Sequence, residues 1–281
     1  MTRLECYGFD AARRAVAGIP EKGETFARVV SAHGDYYHLV CDEAEGEILA
    51  RKKSSAFRDP DVVQPTTGDF VAFVYNPAGE SRITRVVSRF AAFERVDPSS
   101  SGYRTQTIAV NFDTLLFAMS LNENFSTARL GRILELAEDS DCRSRVVVLL
   151  TKADLATPEQ TAECVRAVAA QGVPVQTVSV KTGAGLAGLS PYAQPGRTLA
   201  LVGSSGVGKS SLVNALAGEA WMPTQEIQEW SGKGRHTTTS RELVLLPSGV
   251  LALDTPGMRE LGVLGRDGGN RFLNTGTHRY R

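Results

Sequence analysis

Residues 203–210 read Gly-Ser-Ser-Gly-Val-Gly-Lys-Ser and fill every position of the pattern G-x-x-x-x-G-K-[ST]. The apolar run 198–202 before them predicts a buried strand, and residues 211–217 after them have the apolar spacing of a helix. A glycine-rich loop in this setting presents successive backbone N–H groups and a helix N-terminus to phosphate oxygens. We therefore predict an α/β domain with a P-loop that binds a nucleoside triphosphate.

This phosphate loop also contains side chains expected to act on the triphosphate. Lys209 is predicted to neutralise the β and γ phosphates and so to serve catalysis, and the Ser210 hydroxyl is predicted to bind Mg²⁺. The other contacts with the nucleotide are assigned to the rest of the loop and to the first helical turn, at Gly203, Ser204, Ser205, Gly206, Val207, Gly208 and Ser211.

Two upstream loops have the composition of a guanine-binding site. Thr151-Lys-Ala-Asp154 follows a buried strand predicted at residues 145–150, and Ser179-Val-Lys-Thr-Gly183 follows a strand predicted at 173–178. The Asp154 carboxylate can accept hydrogen bonds from the ring N1–H and the exocyclic amine of guanine, which adenine lacks. Each such group left unpaired costs on the order of 1–3 kcal/mol. The predicted base contacts are Thr151, Lys152 (its stem along the purine face), Ala153, Asp154, Ser179, Val180 and Lys181.

A third set of candidate residues lies downstream. Asp254-Thr-Pro-Gly257 follows a strand predicted at 249–253 and matches D-x-x-G, in which Asp254 binds Mg²⁺ through its hydration shell and the Gly257 N–H contacts the γ-phosphate. Residues 231–240 are polar and rich in hydroxyls, which is typical of a switch segment whose threonine reaches Mg²⁺. The alternatives for that ligand are Thr237, Thr238 and Thr239, and we assign the central one, Thr238.

The order of these motifs predicts the topology. In an ordinary GTPase the guanine-binding loops follow D-x-x-G, but the roughly two dozen residues after Gly257 are too few for another helix, strand and two loops. The guanine loops are therefore the upstream ones, and we predict a circularly permuted P-loop GTPase domain built on a parallel sheet.

The N-terminal part of the chain has a different pattern. Five short strand-like runs between residues 25 and 87, separated by turn formers, predict a small OB-type β-barrel, a module whose usual ligands are oligonucleotides. The one basic run there, Arg51-Lys-Lys53, fits either a solvated hairpin end or an RNA contact. The predicted divisions are a poorly specified arm (1–24), the barrel (25–96), a polar connector (97–103), the GTPase domain (104–264) and a tail (265–281).

Composition restricts partners and compartment. The chain has 281 residues with 31 basic and 31 acidic side chains, so an RNA partner would have to be held by a local patch. Without a charged-then-apolar leader or an apolar run near ~18 residues, we expect a cytoplasmic protein that has no membrane partner. The four cysteines (Cys6, Cys41, Cys142 and Cys164) lack C-x-x-C spacing, which favours reduced thiols over disulfides or a zinc site.

Taken together, a barrel followed by T-K-A-D, S-V-K-T-G, G-S-S-G-V-G-K-S-S, G-R-H-T-T-T and D-T-P-G-M-R-E resembles the ribosome small subunit-dependent GTPase A family over residues 25–264. The resemblance implies an OB-fold domain, a permuted GTPase domain, and GTP hydrolysis stimulated by the small ribosomal subunit late in its maturation. Its implied partners are GTP, GDP, the subunit and its rRNA, and we expect a monomer. Met258 is apolar at the usual position of the water-orienting residue, and the family implicates the switch histidine, His236, as catalytic; a solvent-exposed loop histidine is the alternative.

Two features depart from that family. Thr151 replaces the usual asparagine, so a hydrogen bond that braces the first guanine loop is either lost or remade by the hydroxyl. The family also ends in a zinc domain with three cysteines and a histidine, whereas no cysteine follows Cys164, so we expect Mg²⁺ as the cofactor and no zinc. A nucleotide-gated RNA-binding module with little turnover and an inactive truncated relative remain the alternative functions.

Overall fold

The fold is described from a computed structural model, which covers residues 1–59, 61–96, 105–121, 125–218 and 241–254. Its helices and strands, in chain order, are α1 (Arg3–Cys6), α2 (Ala11–Ala17), β1 (Thr25–His33), β2 (Tyr36–Cys41), β3 (Ile48–Lys52), β4 (Phe70–Val74), β5 (Ser81–Val86), β6 (Ala92–Val96), β7 (Thr105–Val110), β8 (Thr114–Ser120), α3 (Thr127–Asp139), β9 (Val146–Thr151), α4 (Pro158–Ala169), β10 (Val175–Thr177), β11 (Thr198–Gly203), α5 (Lys209–Ala217), β12 (Glu242–Leu245) and β13 (Leu251–Asp254).

Strands β1 to β5 form the predicted barrel. β1 pairs with β2, β2 with β3, β3 with β5 and β5 with β4, and the barrel closes because β4 pairs back with β1. Alternate side chains of these strands point inward and exclude water, and Val29, Leu39, Phe73 and Ile83 are fully buried in the barrel core. Closure in the order 1-2-3-5-4-1 makes this an OB-like barrel.

The other part of the fold is a sheet with strand order β10-β9-β8-β11-β13-β12. The first five strands are parallel, as predicted, while β12 is antiparallel to β13. β8 and β9 are buried along their whole length because helices cover the sheet, which explains their nearly unbroken apolar sequences. In the sequence, these strands therefore stand out as runs of apolar residues and not as an alternation of apolar and polar residues.

Local signals fix the helices that cover the sheet. The Ser126 hydroxyl accepts a hydrogen bond from the Arg129 N–H and caps α3, and Thr157 with Gln160 forms a capping box at the start of α4. Leu130, Ile133 and Leu134 of α3 pack into the core against β8 and β9. These helices hold the sheet rigid beneath the loops at its edge.

The N-terminal segment differs from the poorly specified arm expected from the sequence. Its two helices pack on the barrel, and Phe9 is fully buried with its ring about 5 Å from those of Phe26 and Phe70. Arg13 of α2 then reaches the Asp113 carboxylate, 2.8 Å away, at the start of the second sheet. The segment lacks an amphipathic run long enough to predict its helices, which are stabilised by tertiary burial of Phe9 and of other apolar side chains of the segment.

Strands β6 and β12 were not predicted. β6 pairs with β7 as a separate two-stranded ribbon, so β7 does not join the parallel sheet although it lies within the predicted GTPase domain (104–264). β12 is only four residues long and connects the sheet to the barrel through one pairing, Ser31 with Glu242. In the described ranges no helix is long and apolar enough to cross a membrane.

Candidate functional site

The predicted phosphate loop connects β11 directly to α5. Gly203 ends the strand so close to β8 that a Cβ atom would lie 2.6 Å from the Ala118 carbonyl oxygen, and Gly208 enters α5 with φ 101°, a conformation that L side chains rarely adopt. The helix therefore begins at Lys209 with its first N–H groups at the loop. This is the strand–loop–helix geometry that binds phosphate.

Lys209 is held over this loop. Its Nζ donates hydrogen bonds to the carbonyl oxygens of Gly203 (2.9 Å) and Ser204 (3.1 Å). Ser210 follows in the first turn of α5 and is half-buried, while Ser205 and Gly206 at the tip of the loop are exposed and Val207 is buried beneath it. The ammonium group thus lies at the mouth of the loop, where a triphosphate would meet it.

The first of the two loops predicted to bind guanine begins at the end of β9. Thr151 is 3% exposed, and its hydroxyl donates a hydrogen bond of 2.7 Å to the carbonyl oxygen of Val207 in the phosphate loop. The next residue, Lys152, adopts the left-handed conformation with φ 59°, which is uncommon for a residue with a side chain and turns the chain sharply. The hydroxyl therefore makes a direct link between the base-binding and phosphate-binding loops.

The second loop predicted to bind guanine holds the Asp154 side chain in place. The Ser179 hydroxyl donates a hydrogen bond of 2.6 Å to the Asp154 carboxylate and accepts one of 3.3 Å from the Thr182 N–H. This hydrogen bond is the main cause that lowers the pKa of the exposed Asp154 carboxyl, with smaller contributions from the charges of Lys181 and Lys152. A carboxylate kept ionised with its other oxygen accessible can accept paired N–H donors.

Backbone contacts join these two loops. The Ala153 N–H donates to the Val178 carbonyl, and the Ser179 N–H donates to the Ala184 carbonyl. Val180 packs partly against the core, while Lys181 is exposed. Gly185, which we did not predict, is needed here because a Cβ atom would collide with the Thr177 carbonyl oxygen; the repeated glycines of Thr-Gly-Ala-Gly were its signal in the sequence.

Asp254 is brought to the same edge of the sheet by β13. In the parallel ladder its backbone is in register with Leu201, two residues before Gly203. Carboxyl ends of parallel strands share one edge, so the guanine loops, the phosphate loop and Asp254 follow one another along it. The other predicted residues here (His236, Thr237, Thr238, Thr239, Gly257 and Met258) lie outside the described residues.

Ser210 and Asp254 are chemically suited to Mg²⁺. Mg²⁺ takes one or two protein oxygens together with phosphate oxygens and water, and a hydroxyl at the start of α5 with a carboxylate at the end of β13 fits that pattern. No group of three or more His, Cys, Asp or Glu side chains that could hold a metal occurs among the residues described.

Removal of the hydrogen bond between Thr151 and Val207 tests the site directly. We expect Thr151→Val to weaken GTP binding about tenfold, because the bound nucleotide would have to restore the loop arrangement that this hydrogen bond, at roughly 1–3 kcal/mol, maintains in the free protein. Thr151→Ser, which keeps the hydroxyl, should restore affinity. Calorimetric titration with GTP and GDP measures the effect, and Thr84→Val is the matched control since Thr84 donates to the Ala72 carbonyl within the barrel. Equal affinities for Thr151→Val and wild type would contradict a role for this bond.

Comparisons with known proteins agree on one family. The model of the RsgA GTPase family matches residues 86–264. The small ribosomal subunit biogenesis GTPase RsgA 2 of Lactiplantibacillus plantarum is 40% identical over 245 residues, covering 86% of this chain and 68% of the relative. RsgA 1 of Listeria monocytogenes is 40% identical over 240 residues, covering 85% of this chain and 66% of the relative.

Solved structures give the same architecture. YjeQ from Thermotoga maritima has a TM-score of 0.61 at 25% identity and covers 85% of this chain and 76% of its own. YloQ, described as a circularly permuted GTPase, has a TM-score of 0.57 at 24% identity and covers 87% of this chain and 76% of its own. The predicted combination of an OB-like barrel with a permuted P-loop domain is confirmed by this likeness and by the strand order.

Proposed function

The chain belongs to the RsgA GTPase family, and from that membership we propose that it hydrolyses GTP in the late maturation of the small ribosomal subunit, which stimulates turnover. The main support is the direct bond from Thr151 to the phosphate loop, because it joins the base-reading and phosphate-binding loops in one site. The protein is proposed to act as a monomer in the cytoplasm, on a chain divided into the arm (1–24), the barrel (25–96), the GTPase domain (104–264) and the tail (265–281).

We assign the steps of hydrolysis to residues of this chain. Asp154 would select guanine and fix the nucleotide, while the loop from Gly203 to Gly208 and the cation of Lys209 would hold the triphosphate in line for attack by water. Ser210, Asp254 and Thr238 would hold Mg²⁺, which when bound neutralises charge on the β and γ phosphates. Orientation of the water is assigned to His236, since the thioether of Met258 cannot do it.

Turnover tests this function directly. We expect slow intrinsic GTP hydrolysis that rises about tenfold or more when purified small subunits are added, because activation in trans completes an unfinished site. The measurement is phosphate release with and without subunits, and large subunits serve as the control for bulk RNA. Turnover that is unchanged by small subunits would overturn the ribosomal assignment, and absence of any turnover would overturn the enzymatic one.

The barrel is proposed to bind rRNA through a basic depression. Its volume is about 390 Å³, and it is lined by Arg51, Lys52, Lys53 and Arg82 together with Ser54 and Val74. The Arg51 guanidinium also stacks 4.1 Å above the ring of Tyr36, which is 38% exposed. Arg51 and Arg82 pair with the Glu80 carboxylate at 3.3 and 3.1 Å, so RNA phosphates would replace that carboxylate as their partner. Cations beside an exposed aromatic ring are suited to an RNA backbone with unpaired bases.

Salt dependence tests this surface. We expect Arg51→Gln combined with Lys53→Gln to weaken binding of a labelled single-stranded RNA and to reduce the slope of log affinity against log salt by about 1.4, near 0.7 for each lost phosphate contact. Fluorescence anisotropy across a salt series gives the slope. Arg166→Gln, at an exposed position of α4, is the control. An unaltered slope in the double variant would show that RNA binds elsewhere.

A further inference from the structure

One row of paired residues crosses from the phosphate-loop strand to the barrel. Leu201 pairs with Asp254, Asp254 with Glu242, and Glu242 with Ser31 of β1. Because neighbouring strands lie about 4.8 Å apart, Ser31 is only about 10 Å from the strand that carries the proposed Mg²⁺ carboxylate. The barrel therefore begins two strands away from the nucleotide site.

β1 belongs to both parts of the molecule. Residues Thr25–Arg28 pair with β4 and close the barrel, whereas Ser31 pairs with β12, and the register of β1 against β2 shifts between Val29 and Ser31. A bulge of this kind bends a strand and re-aims its side chains. Consistent with this, Val29 packs in the barrel core and Val30 packs in the core of the parallel sheet.

A buried turn of the barrel reinforces that contact. Thr67, in the turn before β4, is 2% exposed, and its hydroxyl donates a hydrogen bond of 3.2 Å to the carbonyl oxygen of Arg241. Arg241 immediately precedes β12 and, in the sequence, immediately follows the predicted switch segment. Thr67 thus fixes the residue that precedes β12, and β12 is the strand between β13 and the barrel.

The other side of the same turn is fixed to the chain after β7. The side-chain amide of Asn111, 1% exposed, donates to the Gly68 carbonyl (3.2 Å) and to the Asp69 carboxylate (3.3 Å). Asp69 is fully buried and also accepts two hydrogen bonds from the Arg89 guanidinium, at 2.8 and 2.9 Å. A buried polar network in which each member is bonded resists local rearrangement, so the turn gives Thr67 a firm support within the barrel.

A second link between the parts lies at the opposite edge of the sheet. Asp113 precedes β8 and accepts hydrogen bonds from Arg13 of α2 and from Arg197 before β11, each at 2.8 Å. Both β8 and β11 run from there toward the nucleotide, so this link is a full strand length from the phosphate loop. It stabilises the assembly at the edge that does not carry the site.

We propose that the seam, defined as Ser31, Thr67, Asp69, Asn111, Arg241 and Glu242, couples the nucleotide state to the barrel, with Thr67 as a positioning residue. This rests on the proposed function in assuming that guanine nucleotides bind at the phosphate loop. Replacement of GDP by GTP changes the charge beside Asp254 and so the stability of the pairing between β13 and β12. Because β12 contacts Ser31 and Thr67, the change in β12 then affects β1 and β4 of the barrel. By linkage, a ligand on the barrel changes nucleotide affinity by the same factor.

Hydrogen–deuterium exchange of the full chain tests the coupling without any ribosomal ligand. The protein is compared in Mg²⁺ with GDP and with a non-hydrolysable GTP analogue, following amides of residues 25–33 and 70–74 in the barrel and 203–217 at the phosphate loop. We expect exchange of the barrel amides to differ about fivefold or more between the two nucleotides in wild type, the lower end of common coupling strengths. Thr67→Val, which keeps the shape and removes the donor, should abolish that difference while nucleotides still protect residues 203–217.

Two controls separate coupling from general destabilisation. Thr84→Val removes a comparable hydroxyl inside the barrel, and Arg13→Gln removes the link at the opposite edge; both should retain the nucleotide-dependent difference. Protection of residues 203–217 without any change in the barrel would overturn the coupling and leave GTP binding intact. No protection of residues 203–217 by either nucleotide would overturn both, and equal loss of the difference in all three variants would reduce Thr67 to a stabilising residue.

Discussion

Lys209→Ala is expected to lower GTP affinity by about 100-fold or more and to abolish turnover. Hydrogen bonds from a charged donor contribute roughly 1.5–3 kcal/mol each, and the ammonium group would make at least two with the β and γ phosphates. No other side chain on the described part of the phosphate loop carries a positive charge. The loss should be larger for GTP than for GMP, which has neither phosphate.

Equilibrium titration with GTP, GDP and GMP gives the three affinities, and phosphate release gives turnover. Lys209 also donates to the carbonyls of Gly203 and Ser204, so thermal unfolding of the variant must be measured alongside. Lys22→Ala, an exposed lysine of the N-terminal segment, controls for loss of charge. If Lys209→Ala bound GTP within about threefold of wild type, residues 203–210 could not be the phosphate site.

Asp154→Asn is expected to change the preferred base from guanine to xanthine. The asparagine amide would place an N–H₂ donor against the exocyclic amine of guanine, so two donors would face each other and GTP affinity should fall by about 10- to 100-fold, or roughly 1–3 kcal/mol. Xanthine has a carbonyl oxygen in place of that amine, and xanthosine triphosphate should therefore recover most of the affinity. The reversal of preference is the result to look for, because loss of binding alone would also follow from misfolding.

Competition of GTP, XTP and ATP against a fluorescent GDP analogue measures the preference. Ser179→Ala is the companion variant, since it removes the hydroxyl that holds the Asp154 carboxylate and leaves that carboxylate itself in place. It should lower GTP affinity modestly without favouring XTP. An Asp154→Asn protein that still prefers GTP over XTP would show that another residue reads the base.

The site was predictable where the chemistry is local in sequence. Residues 203–210 and Thr151–Asp154 are recognisable from a few adjacent residues, and the apolar run before each of them is a buried strand as predicted. The order of motifs was enough to predict the permutation. In these motifs the residue types themselves set the structure, because glycines allow the backbone to approach a phosphate closely and apolar runs form buried strands.

Other parts depend on contacts between distant residues. β12 has only the sequence Glu-Leu-Val-Leu, too short to distinguish from a loop, and it is a strand because β13 and β1 offer ladders on its two sides. Phe9 orders the N-terminal segment through Phe26 and Phe70, which no local pattern signals. From the sequence, the hydrogen bond that braces the first guanine loop could be either lost or remade by the Thr151 hydroxyl. It is remade, because the fold places the Val207 carbonyl within reach of that hydroxyl.

The shared strand β1 has a consequence for folding during synthesis. Ser31 pairs with Glu242, so the strand emerges from the ribosome 211 residues before this partner does (242 − 31), or roughly 10–40 s earlier at 5–20 residues per second. The barrel can close through β4 in that interval, while Ser31, beyond the bulge, pairs with β2 on one side and still lacks a partner strand on the other. That exposed edge is the place where a nascent chain would be captured by another strand or by a chaperone, and completion of β12 removes it.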